Sequence, residues 1–154
     1  MKSKKFLIVL LLVSFCGGEK TQAEICENYW FYIEYEADSK LEKLLADIEV
    51  AHYSRLQGSV SEGISYSQFN GEFPNRVEGL IETISKLKPD ESNLLNHKRI
   101  INSLNEIKTD LSKYVLLMEE SETDSMKFLD LQFSIQDSLY FVYDTTKQHS
   151  CPTD

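Results

Sequence analysis

Glycine and proline are missing between Glu24 and Gln57, and the chain has only six glycines and three prolines in all. A stretch without either residue has no built-in stop, so a long unbroken helix is open to it. No apolar run reaches the roughly twenty residues that a helix needs to span a bilayer. The longest, residues 6–15 (FLIVLLLVSF), has ten. Basic charge is scarce, with 16 Lys and Arg against 25 Asp and Glu, a net charge of −9. Such a chain is repelled by phosphate backbones and anionic lipid, which argues against nucleic-acid partners. Its field favours basic proteins, cations or neutral ligands. Also missing are a Gly-x-Ser-x-Gly nucleophile turn, a glycine-rich phosphate loop, a Cys-x-x-Cys-His haem attachment, internal repeats and low-complexity tracts.

What is present begins with a basic start, Lys2, Lys4 and Lys5, followed by the ten-residue apolar run and then small and polar residues. That order describes a signal peptide and implies export, to the periplasm or beyond the cell. Thr21-Gln22-Ala23 puts a small residue before Glu24, so residues 1–23 are read as the leader and 24–154 as one domain. A competing site is Val13-Ser14-Phe15-Cys16, which resembles a lipoprotein processing site except at Phe15, where a small residue is wanted. There Cys16 would be lipidated and the protein membrane-anchored. Either cut removes Lys2, Lys4 and Lys5. Removing Glu19 and Lys20 as well takes 16 basic and 25 acidic residues to 12 and 24, a net of −12. Retaining that pair gives the same net charge.

The mature stretch is patterned for helices. Trp30, Ile33, Ala37, Leu41, Leu44, Ile48 and Ala51 repeat at steps of three and four, the stripe of an amphipathic helix about 50 Å long. Residues 58–73, with alternating serines and Asn70-Gly71, read as a loop or a poorly formed helix. Pro74 then opens a short stripe, Val77, Leu80, Ile81, Ile84 and Leu87. Asp90 can cap a third helix with Leu94, Ile101, Leu104, Ile107, Leu111, Val115 and Met118 on its buried face. Ser121-Glu122-Thr123-Asp124 reads as a capping box before Phe128, Leu131, Ile135, Leu139 and Val142. The fold expected is all-α: an up-down-up-down four-helix bundle, its second helix short or broken, its termini at the same end.

That topology brings Cys26, at the start of the first helix, beside Cys151, just past the end of the fourth. In an oxidising compartment two such cysteines are expected to pair. A bridge closing so long a loop contributes about 4 kcal/mol on the chain-entropy model.

Candidates for chemistry are thin. Glu49 and His52 form one Glu-x-x-His unit, where di-iron bundles need two and further glutamates. They read as a solvated pair on the bundle surface. His97 sits at the edge of a stripe without a second His facing it, and His149 lies in the tail. Ser59, Ser61, Ser65 and Ser67 belong to no nucleophile motif, and Glu34 with Asp38 and Glu78 with Glu82 read as ordinary acidic helix faces. The chain is therefore read as non-enzymatic, with no cofactor and no metal.

The unusual feature is aromatic. Tyr29, Trp30, Phe31, Tyr32 and Tyr35 crowd one helix start, and neighbours at 29 to 32 point nearly all round a helix. Tyr140, Phe141 and Tyr143 are expected at the same end. These residues are either a broad core layer or an interaction patch, since Tyr and Trp are enriched at hot spots. The function expected is a protein-binding module of the bacterial envelope, inhibitor- or immunity-like. The alternatives are a small-molecule or metal-binding periplasmic bundle and a structural lipoprotein anchored through Cys16. Intact-mass spectrometry of the exported protein is expected to show an N-terminus at Glu24; an acylated Cys16 would overturn that expectation.

Overall fold

The computed structural model describes residues 21–120, 124–147 and 151. All regular structure among them is helical, and four helices pack against one another. Helix α1 covers residues 22–56, α2 residues 62–85, α3 Leu94–Glu119 and α4 Ser125–Lys147. A 3₁₀ turn, Glu91–Asn93, leads into α3.

Local chemistry explains the boundaries. Thr21 Oγ1 accepts from the Glu24 amide while a Glu24 carboxylate oxygen accepts from the Thr21 amide, both at 3.2 Å, a reciprocal cap on α1. This cap straddles the expected cleavage point after Ala23. The far end of α1 closes with the Ser59 amide bonded to the Ser54 carbonyl and the Gly58 amide to Arg55. That pairing demands a left-handed residue, and Gly58 supplies it with φ +65°. Ser61 caps α2 through the Ile64 amide, Asp90 accepts from the Ser92 amide, and Asp124 accepts from the Met126 amide at the start of α4. The expected capping box beginning at Ser121 falls mostly outside the described residues.

The sequence predicts a loop or broken helix before Pro74; the structure has a continuous helix instead. Phe69, Phe73 and Val77 are all buried, as is Ser65. Three consecutive steps of four would rotate an α-helical stripe about 120° away from the core, since each residue turns ~100°. A π-turn at Gln68–Glu72, in which the Phe73 amide reaches back to the Gln68 carbonyl, takes up the extra residue and cancels most of that drift. It also accommodates Pro74, which has no amide to donate and whose ring would crowd the carbonyl four residues back in a regular helix. Asn70-Gly71 is thus part of a helix, not a turn. Helix α1 has a similar π-turn at Ile33–Ala37, closed by the Asp38 amide on the Ile33 carbonyl. Next to it both Ala37 and Asp38 are buried.

The core is continuous from Cys26, Tyr29 and Trp30 through Leu44, Ile48, Val77 and Ile107 to Phe69, Tyr114 and Phe128. Leu94 departs from expectation: at the first residue of α3 it is 47% exposed, and Ile100 is buried instead. Between helices, Arg76 pairs with Asp47, Lys108 with Glu78, and Asp110 accepts from Ser134 at 2.6 Å. The sequence places Glu78 on an ordinary solvated face; the structure pairs it across to α3.

Deleting Asn70 should convert the π-turn to a regular turn and rotate residues 62–69 by ~100°, carrying Phe69 out of the core. A loss comparable to truncating a core Phe, about 3–5 kcal/mol, is expected. Thermal unfolding followed by circular dichroism should fall on the order of 10 °C. Asn70→Ala, which keeps the residue count, should change little.

Candidate functional site

At one end of the molecule the Cys26 and Cys151 sulfurs lie at bonding distance, 2.14 Å, with Cα atoms 5.6 Å apart, inside the range that a disulfide spans without backbone movement. Polar groups around them are tied together. Asn93 donates to Cys26 Sγ at 3.5 Å and to Asp90 at 2.7 Å. Burial works against charge on Asp90, but hydrogen bonds from Ser92 and Asn93 outweigh it and hold the carboxyl below its ordinary value. Tyr29 Oη lies 3.1 Å from His97 Nδ1. Burial first, and then the Asp90 charge, push the Tyr29 phenol well above its usual range, while burial lowers His97. The phenol is therefore the donor and a neutral imidazole the acceptor.

The aromatic cluster divides. Trp30, 1% exposed, and Tyr29 are core, their rings edge to face at 4.9 Å, so these two do not belong to an exposed patch. Phe31 and Tyr35, 62% and 65% exposed, contact each other at 4.7 Å. Tyr32 is half-buried. Tyr140 and Tyr143 line a small groove of about 200 Å³ with Leu41, Glu42 and Leu45. The residues expected as one patch are thus two core rings, an exposed surface pair and a grooved surface. At 100° per residue the rings at 29, 30 and 31 cannot share one helix face, and the sequence carries that much. Which side faces the core depends on tertiary packing.

Two residues read as solvated are buried. Asp38 accepts from Thr146 of α4 at 2.6 Å. His52 is fully buried, and its Nδ1 lies 3.0 Å from Tyr114 Oη. Glu49, its expected metal-site partner, is half-buried. Among the described residues no group of three His, Cys, Asp or Glu is placed to hold a metal ion. Cys16 and His149 lie outside the described residues.

Around His52 is a cluster that sequence reasoning missed. The Arg55 guanidinium carbon lies 3.9 Å above the Phe128 ring centre and 5.9 Å from that of Tyr114. Phe69 stacks on Tyr114 at 4.0 Å. Ser65 and Gln132 are fully buried nearby along α2 and α4, one turn from Phe69 and Phe128. A signal existed: Arg55 continues the stripe of Ile48 and Ala51, and Gln132 falls between Phe128 and Ile135, so both occupy core positions with polar side chains.

No family model, curated protein or solved structure matches this chain.

Burial, and then the neighbouring Arg55 cation, lower His52 from 6.5 to about 4. The folded state thus holds it neutral, whereas the unfolded chain takes up a proton below pH 6.5. The contribution to stability is complete above pH 6.5 and is lost as pH falls towards 4. Its size is on the order of 3 kcal/mol. Urea unfolding between pH 7 and 4 is expected to show this slope, and His52→Phe should flatten it. An unchanged slope would show that other groups carry the acid sensitivity.

Proposed function

We propose that the chain is an exported, non-enzymatic protein of the bacterial cell envelope that binds a basic protein partner through acidic, aromatic surface. The observation that carries this reading is the Phe31–Tyr35 pair: two large exposed rings in contact with each other, their planes tilted by 35°, with Glu27 and Glu34 beside them in the helix. Exposed aromatics that pre-order one another give contact area at low entropic cost, and the surrounding carboxylates attract a basic face. Among the described residues no helix is long and apolar enough to cross a membrane.

The topology that fits is up-down-up-down with both termini at one end. Residue numbers run in opposite senses across each neighbouring pair. Between α1 and the C-terminal side the pairs are Cys26 with Cys151, Asp38 with Thr146 and Arg55 with Phe128. Between α2 and α3 they are Tyr66 with Glu119 and Glu78 with Lys108. Export to an oxidising compartment would form the Cys26–Cys151 bond. A second reading, lipidation at Cys16, is favoured by the reciprocal cap of Thr21 and Glu24. Cleavage after Ala23 removes that cap, whereas processing at Cys16 keeps it.

The test is affinity capture from envelope extract on immobilised mature protein, with Phe31→Ala/Tyr35→Ala as the paired control. Both positions are exposed, so the variant should unfold within a few degrees of wild type. The expected result is a retained protein of basic isoelectric point, released by salt and lost on the variant column. Equal retention by both columns would overturn the assignment of this surface.

A further inference from the structure

A cleft of about 630 Å³ opens at the end of the bundle where α1 passes to α2 and α4 begins. Leu56, Val60, Met118 and the Phe128 ring give it apolar walls, and Arg55 is the one cation among its described lining residues. Its volume is ordinary for a small-molecule site. The unusual part is the arginine. Its guanidinium is stacked on Phe128, its Nε is buried without a hydrogen-bond partner, and among the described residues no carboxylate pairs with it. Stacking on an aromatic face offsets part of the cost of desolvating a cation, and the Tyr114 hydroxyl takes one guanidinium hydrogen bond, but the buried Nε is left without a partner.

The polar groups behind Arg55 are short of partners as well. His52 Nε2, Ser65 Oγ and both polar atoms of the Gln132 amide are buried without a hydrogen bond among the described residues. Each such group makes the fold less stable than a satisfied one would. At the disulfide end, by contrast, Asp90, Asn93, Tyr29 and His97 satisfy one another.

We propose that this cleft binds a small monocarboxylate carrying an apolar chain or ring, its carboxylate on the Arg55 guanidinium and its apolar part along Leu56, Val60, Met118 and Phe128. An arginine presents a planar fork of donors that matches a carboxylate two bonds at a time. A single cation suits a monoanion. Glu62, also on the lining, and the acidic surface oppose phosphates and other polyanions. A cationic ligand would have to sit against Arg55 itself. The proposal is independent of the protein-partner reading, which uses Phe31 and Tyr35, so either can fail alone.

The probe is sodium decanoate, below its aggregation concentration, titrated calorimetrically into the full disulfide-intact mature chain. Decanol and decylammonium serve as uncharged and cationic controls. Decanoate should bind saturably at one site and at least tenfold tighter than decylammonium. Arg55→Met should weaken decanoate at least tenfold while changing decanol less than twofold, and Arg55→Lys should recover part of the loss. Amide shifts in the wild-type protein should concentrate around residues 55–66, 118 and 125–128. If Arg55→Met loses its helical circular dichroism, Arg55→Lys and the wild-type shift map decide. Absence of saturable decanoate binding, equal binding of decylammonium, undiminished decanoate binding by a folded Arg55→Met, or shifts centred on Phe31 and Tyr35 would each overturn the proposal.

Discussion

Tyr114, on α3, touches a residue from each of the other three helices. His52 of α1 hydrogen-bonds its hydroxyl, Phe69 of α2 stacks on its face, and Phe128 of α4 meets it edge-on at 4.8 Å. Burial raises the phenol to about 12, with Arg55 pulling the other way, so it stays protonated and available as a donor. The ring therefore fixes both the spacing of the four helices and the orientation of the imidazole. Deleting it would leave His52 with neither nitrogen bonded and Phe69 facing a void, two of the costliest kinds of core defect.

The π-turns follow from this constraint. Phe69 reaches Tyr114 only because the turn at Gln68–Glu72 absorbs a residue that would otherwise rotate it out of the core. The turn was not legible in the sequence, where Asn70-Gly71 and Pro74 give strong stop signals and the helical alternative needs a non-standard hydrogen bond. What was legible depends on repetition. The stripes of α1, α3 and α4 each run for four turns or more, so the period of 3.6 averages over local exceptions. Cys26 and Cys151 were legible for a different reason: helix count alone decides which ends meet.

Burial of single residues was the least legible layer. Leu94 fits its stripe yet is exposed, while Asp38, His52 and Gln132 are polar yet buried. A stripe tells which face points inward on average; it does not tell where neighbouring helices leave a gap or a partner. Asp38 is buried because Thr146 meets it from α4, a residue more than a hundred positions away. The aromatic crowd at the start of α1 divides for the same reason. Trp30 and Tyr29 are buried among core neighbours, whereas Phe31 and Tyr35 are exposed and pair with each other.

Stability does not account for the polar cluster around Arg55. Replacing a buried ionic or polar group with an apolar one of similar volume is often neutral or stabilising, and Arg55 already lies against the rings of Phe128 and Tyr114. Arg55 also acts on its neighbour: its charge helps to keep His52 neutral, so the cluster holds one positive charge rather than two near pH 7. That charge lies against an aromatic ring at the wall of an open cleft. A cation that costs the fold energy, has no carboxylate partner among the described residues and borders an open cleft is better explained by what it meets than by what it supports.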